Sequence, residues 1–274
     1  MPVHGRFDMI VFSHGNGFPA STYTVLIDSL RERGFAVRFL EKLGHNPRFP
    51  VTDNWPHIEE ELAEFVQAQV AQRQGAPVWL VGHSLGGIVS VMTAAQHPEL
   101  VRGVVMIDSP ILGGWKSTAM GVAKTLPLMG RFSPGAVSHK RRNSWPSTDA
   151  VHAHFRHKRA FAKWDAQVLL DYAAYGTVDV EGQRVLAFDR AVETRFYNTI
   201  PDNLPALLRR HPLKCPVTFI GASHSVERRQ VGMDMVNHVT KGRTMMLDGS
   251  HLIPMEKPLA TAAAVEAALR NMGA

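Results

Sequence analysis

The sequence predicts a three-layer α/β fold on a mainly parallel sheet, and two observations carry that expectation. Short runs rich in Val and Ile alternate with longer amphipathic segments over 8–112 and again over 213–274. The run 78–81, Val-Trp-Leu-Val, also passes directly through Gly82-His83-Ser84-Leu85-Gly86 into a helical pattern, with no room for anything but a sharp strand-to-helix turn. Strand–helix–strand repeats of this length require parallel pairing through crossover helices. A parallel sheet gathers its loops at the carboxyl ends of its strands, so residues just after the strand-like runs should share one edge.

The elements follow in order. Residues 9–12 form a strand, and 23–33 a helix with Tyr23, Leu26, Ile27 and Leu30 at helical spacing, stopped by Gly34. Residues 35–40 form the next strand. Residues 55–72 form an amphipathic helix, with Ile58, Leu62, Phe65, Val66 and Val70 on one face and Asp53 or Asn54 as its cap. Residues 78–81 are a strand, 86–96 a helix ended by His97-Pro98, and 104–107 a strand closing at Asp108-Ser109-Pro110. The alternation resumes with a strand at 217–220, a helix at 228–239, a strand at 244–247 and a closing helix at 259–271. Only residues 1–7 precede the first strand, too few for two further strands of about 5–6 residues and a turn. The expected sheet is therefore all parallel, of about six strands, with 35–40 at an edge. An open apolar edge strand pairs with another chain unless covered, so a homodimer is an expectation.

Residues 113–212 break the pattern. They hold Trp115, Trp145 and Trp164, many basic side chains, and helix-like patches at 150–163 and 165–174. The chain thus divides into a core, 1–112 with 213–274, and an insertion, 113–212.

Composition narrows the function. A chain of 274 residues, 45% hydrophobic, suits one large α/β domain with an insertion or two small domains. No uncharged apolar run reaches the ~20 residues that span a bilayer, and no signal-like apolar region opens the chain, so a cytoplasmic protein without stable membrane insertion is expected. The single cysteine, Cys215, excludes an intramolecular disulfide and fits a packing role before Pro216. The net charge is +6, but the basic residues are dispersed and no nucleic-acid motif accompanies them, so no nucleic-acid partner is expected. The densest runs, His139-Lys140-Arg141-Arg142 and His157-Lys158-Arg159, fall in the insertion as a solvated face or as an attraction for an anionic substrate or surface. His152, His154 and His157 lack the Cys or carboxylate that completes a zinc pattern, and the glycines near Ser84 miss the dinucleotide spacing. No metal or cofactor is expected.

Three segments carry chemistry. Ser13-His14-Gly15-Asn16-Gly17-Phe18-Pro19 follows the first strand, Gly82-His83-Ser84-Leu85-Gly86 forms the turn, and Asp248-Gly249-Ser250-His251-Leu252-Ile253-Pro254-Met255-Glu256-Lys257-Pro258 follows the last strand. With these motifs in this order, the chain resembles the α/β-hydrolase superfamily over nearly its whole length except the middle. The resemblance implies Ser84 as nucleophile and His251 as base. It implies oxyanion donors from the N–H of Leu85 and from the His-Gly loop at Asn16, with Gly17 a close alternative. It further implies a helical cap formed by the insertion, and the loss here of the hairpin that usually opens the fold. His14 would shape the oxyanion loop, and His83 would be a packing element beside the turn.

The acid departs from the pattern. The family usually carries Gly-x-x-Asp after the penultimate strand, where this chain has Gly221-Ala222-Ser223-His224-Ser225. Asp108, at the end of the strand after the nucleophile strand, is the candidate acid and keeps the chain order nucleophile, acid, base. Glu227 and an acid-free dyad are the alternatives, and Asp108 otherwise caps the turn at Ser109-Pro110. The implied activity is cleavage of an ester or related acyl bond through an acyl-enzyme, with a small-molecule acyl substrate and no cofactor. Thioester, lactone or carbon–carbon bond hydrolysis, or a non-catalytic hydrolase-like binding module, are the alternatives. Serine rather than Asp at the turn argues against dehalogenase or epoxide hydrolase chemistry.

Overall fold

Alternating side chains on short apolar runs build the sheet that organises this protein. The computed structural model describes residues 8–113 and 141–274. In chain order, the first half holds β1 (Met9–Ser13), α1 (Thr24–Glu32), β2 (Ala36–Phe39), α2 (Pro56–Gln72), β3 (Val78–His83), α3 (Leu85–Gln96) and β4 (Val101–Ile107). The intervening segment holds β5 (Ser144–Trp145), α4 (Thr148–Arg156), α5 (Ala166–Tyr175), β6 (Thr177–Val180), β7 (Gln183–Leu186), α6 (Arg190–Asn198) and α7 (Leu204–Arg210). The chain then returns through β8 (Val217–Ala222), α8 (Val226–Val231), α9 (Asp234–Thr240), β9 (Thr244–Leu247), α10 (Ile253–Glu256) and α11 (Pro258–Asn271).

The main sheet has six strands in the order β2-β1-β3-β4-β8-β9, every neighbouring pair parallel. Among the described residues it contains no antiparallel strand; residues 1–7 lie outside them. As expected, β2 stands at an edge. Side chains leave alternate faces. Val11, Leu80, Val104 and Met106 pack with α2 and α3, while Ile10, Phe12, Trp79, Val81, Val105 and Ile107 pack with α1 and α11. Both faces are covered, which is why these strands read as continuous apolar runs.

Differences from expectation have local causes. The helix expected over 228–239 is two helices, α8 and α9, parted at Gly232 with φ +90°. Asn54 does not cap α2; its side-chain oxygen accepts the Asp202 and Asn203 N–H groups, and Trp55 occupies the cap in a left-handed conformation. The described part of the segment between β4 and β8 holds the helices α4 to α7 and also an antiparallel three-stranded sheet, β5-β7-β6, which the sequence pattern did not show. Glu181 and Gly182 both have positive φ, which turns β6 tightly into β7. Cys215 packs half-buried against the core, and burial pushes its thiol up to about 11.

Trp115, His139 and Lys140 lie outside the described residues. Arg141 pairs with Glu193, and Arg142 lies over the Trp145 ring. The His154 ring lies 5.5 Å from that of Trp145, tilted by 60°, and among the described residues no three potential ligands converge as a metal site. No described helix is long and apolar enough to cross a membrane.

Candidate active site

The turn between β3 and α3 strains one residue. Ser84 has φ 53° and ψ −117°, a conformation that costs an L-residue about 1–3 kcal/mol and persists only where the surroundings enforce it. Glycines make that enforcement possible. A Cβ on Gly82 would lie 2.3 Å from the Gly86 carbonyl carbon, and one on Gly86 would lie 2.2 Å from the Ser13 carbonyl oxygen. Backbone approaches this close exclude every other residue. The Ser84 N–H donates to the Ile107 carbonyl at 3.0 Å, fixing the turn against β4. The Leu85 N–H heads α3, where no intrahelical acceptor exists.

Two further strand ends meet this serine. His251, in the loop after β9, has Nε2 at 2.9 Å from Ser84 Oγ. Its Nδ1 lies 2.7 Å from Oδ2 of Asp108, the residue after β4. Asp108 is fully buried, and its Oδ1 accepts the Ala222 N–H at 2.8 Å. Burial alone would raise its carboxyl; hydrogen bonds from His251, Ala222 and Ser225, with the His251 charge, outweigh that and hold it below the usual carboxylate range. Asp108 also sits at φ 41°, another non-glycine residue in the left-handed region.

The His251 loop is built by the residues that flank it. Glu256 accepts the Ser250 N–H at 2.9 Å and the Ser250 hydroxyl at 2.5 Å, folding the chain back on itself. A Cβ at Gly249 would lie 2.2 Å from Ile253 Cδ1. Glu227 is peripheral: its half-exposed carboxylate lies 4.0 Å from His251 Nδ1, beyond hydrogen-bond reach. His224 points elsewhere, to Asp248.

The loop after β1 is equally fixed. His14, fully buried, donates from Nδ1 to the Gly15 carbonyl at 2.8 Å and accepts the Leu43 N–H at Nε2. Burial pulls its pKa down to about 4, so it is neutral near pH 7. The Phe18 N–H also donates to the Gly15 carbonyl, at 3.3 Å. That carbonyl shares a peptide plane with the Asn16 N–H, so the two bonds also set the direction of the Asn16 N–H. The Asn16 side chain donates to the Glu193 carbonyl at 3.1 Å, and Gly17, with φ +84°, lies against the Glu193 carboxylate.

Sequence reasoning gathered Ser84, His251 and Asp108, and the structure brings all three into one hydrogen-bonded chain. It missed the Ala222 N–H and Ser225, whose partner only the folded chain identifies, and it read Glu256 as part of the motif around His251 without its bonds to Ser250. His83 is more than packing: both ring nitrogens are hydrogen-bonded, to Tyr23 and to the His251 carbonyl.

Comparison with known proteins adds context. The sequence model of the alpha/beta hydrolase family matches residues 10–264. A pimeloyl-[acyl-carrier protein] methyl ester esterase of Shewanella woodyi is 33% identical over 105 residues, covering 38% of this chain and 37% of its own. Human monoglyceride lipase is 30% identical over 113 residues, covering 40% and 37%. The chain thus spans well under two thirds of the length of these relatives. Among solved structures, E-2-(acetamidomethylene)succinate hydrolase superposes with a TM-score of 0.75 at 21% identity, over 97% of this chain and 92% of its own, a likeness of fold.

Proposed function

The chain belongs to the alpha/beta hydrolase family, and from that premise we propose that it is a serine hydrolase cleaving an ester or related acyl bond through an acyl-enzyme. One observation carries the reading: the unbroken chain Ser84 Oγ, His251, Asp108 on a strained turn at the carboxyl edge of the sheet. Ser84 Oγ attacks the acyl carbon while His251 Nε2 takes its proton. Asp108 holds the ring with its proton on Nδ1 and stabilises the imidazolium that forms. The N–H groups of Leu85, at the head of α3, and of Asn16 receive the oxyanion, and Gly17, with positive φ, gives its loop the backbone freedom to present the Asn16 N–H. Collapse of the tetrahedral intermediate expels the alcohol, protonated by His251. Water then attacks the acyl-enzyme by the same route, and the acid leaves.

The insertion, 113–212, is read as a cap; what supports this is α6, which brings Glu193 against the loop of Asn16 and Gly17. The Arg141–Glu193 pair, largely buried beside that loop, makes the cap part of the site's framework. The substrate is a small acyl molecule. A stopped-flow series with p-nitrophenyl esters of graded chain length tests the reading: it predicts a burst of nitrophenolate equal to the enzyme concentration, followed by slower turnover. Hydrolysis without any burst or trapped acyl group across the series contradicts the acyl-enzyme.

A further inference from the structure

Buried within the site, a second set of hydrogen bonds runs across the catalytic chain. Tyr23 stands just before α1, and its hydroxyl lies 2.9 Å from the Gly15 N–H and 2.8 Å from His83 Nδ1. His83 Nε2 lies 2.9 Å from the carbonyl oxygen of His251. Tyr23 and His83 are each 1% exposed, so solvent completes none of these bonds.

The polarity of this chain has one solution. A backbone N–H only donates, so the Tyr23 oxygen accepts from Gly15. The hydroxyl proton is then free to point at His83 Nδ1, which must be unprotonated to receive it. The single proton of the neutral ring is therefore on Nε2, and it meets a carbonyl, which only accepts. Both ends are fixed and every donor has its acceptor. Protonation of His83 would put a donor against the Tyr23 hydroxyl; burial and the neighbouring His251 pull the ring down to about 3, so it stays neutral.

We infer that Tyr23 and His83 are positioning residues that lock the oxyanion loop, the serine turn and the His251 loop into one register. This rests on the serine-hydrolase reading above and names how its three loops are aligned. Each loop enters by a different atom: the oxyanion loop by the Gly15 N–H, the turn by His83 itself, one residue before Ser84, and the base loop by the His251 carbonyl. Gly15 is pinned at both ends, its N–H by Tyr23 and its carbonyl by His14 and Phe18. The Tyr23 hydroxyl thus fixes the peptide plane that precedes Gly15, and the bonds to the Gly15 carbonyl fix the next plane, which carries the Asn16 N–H. The fit is tight, since a Cβ on Gly15 would lie 2.7 Å from His83 Nδ1 and 3.0 Å from the Tyr23 oxygen.

The test compares wild type, Tyr23→Phe, His83→Gln and the double variant, each titrated with a fluorophosphonate so that rates are per reactive serine. Loss of folded molecules lowers the titre; loss of register lowers kcat per titrated site. Outright removal of an oxyanion donor costs about 10²–10³-fold in kcat, so a loosened one should cost about 10–100-fold in Tyr23→Phe, with KM changed less than about threefold. Affinity for an alkyl boronic acid, whose serine adduct places an oxygen in the oxyanion site, should fall by the same factor. His83→Gln sets an amide N–H near the Nε2 position for the His251 carbonyl, and its amide oxygen does not stand at the Nδ1 position that Tyr23 meets. It breaks only one of the two bonds that Tyr23→Phe removes, so its loss should be no larger than that of Tyr23→Phe, and the double variant should fall no further than Tyr23→Phe alone. In the wild type, nitrogen-15 shifts of His83 should report a neutral ring protonated on Nε2. Tyr23→Phe within twofold of wild type in kcat and boronate affinity, or a His83 proton on Nδ1, overturns the inference. If the wild type itself takes no label at Ser84, the serine-hydrolase reading fails, and the positioning role fails with it.

Discussion

Replacing Asp108 by Asn probes the acid through a consequence of its own geometry. The Ala222 N–H donates to Asp108 Oδ1, so an Asn side chain must keep its carbonyl oxygen there; the amide nitrogen would set donor against donor. That leaves the NH₂ facing His251 Nδ1, at the position where the carboxylate oxygen stands at 2.7 Å. Nδ1 must then accept, and the ring proton moves to Nε2, against Ser84 Oγ. His251 becomes a poor base by tautomer alone. Asn tolerates the left-handed backbone at φ 41°, so the fold should survive. The loss seen on such a change in other triads is about 10⁴ in kcat, or about 5.4 kcal/mol of barrier at about 1.36 kcal/mol per decade. Initial rates of p-nitrophenyl ester hydrolysis measure it. Glu227→Gln should change kcat by less than about threefold, since its half-exposed charge is screened and stands off at 4.0 Å. The reverse pattern, a mild Asp108→Asn and a crippled Glu227→Gln, refutes the reasoning and moves the acid to α8.

Two further outcomes follow from buried and open features elsewhere. Glu61 is buried, and desolvation raises its carboxyl from 4.5 to about 7 while it accepts the Gly44 N–H. The folded state holds that proton more tightly than the unfolded chain, so its contribution to stability falls as pH rises from 4.5 towards 7. Glu61→Gln keeps the acceptor and should gain up to about 3 kcal/mol over wild type at pH 8, at about 1.4 kcal/mol per pH unit, and little at pH 4.5. Urea unfolding at both pH values checks it, and an equal difference at both contradicts it. Pairing of the β2 edge, unpaired by any strand among the described residues, with a second copy predicts a dimer in light scattering, and a strictly monomeric species at micromolar concentration contradicts that pairing.

The central strands were legible because both sheet faces are buried there, which gives unbroken apolar runs such as 9–12 and 104–107. Ser84 and His251 were legible because glycines mark the turns that aim them, and Asp108 because it ends a strand on the same edge. The β6–β7 hairpin was not: its turn residues are Glu181 and Gly182, and Glu is a weak signal for a position with positive φ. The break at Gly232 lies in a segment whose apolar spacing reads as one helix. The Tyr23–His83 link joins residues 60 apart in the chain, and nothing in their local patterns points from one to the other.

The central claim is that Ser84 is the attacking group. Intact-mass and peptide analysis after treatment with a fluorophosphonate tests it most directly. One adduct per chain on the peptide carrying Ser84, accompanied by loss of ester hydrolysis, is the predicted result. Ser84→Ala should take no label, lose turnover and keep its thermal midpoint, because the Ser84 side chain is only half-buried and losing its hydroxyl empties no core. Equal labelling of wild type and Ser84→Ala, or full hydrolytic activity in the variant, contradicts the account.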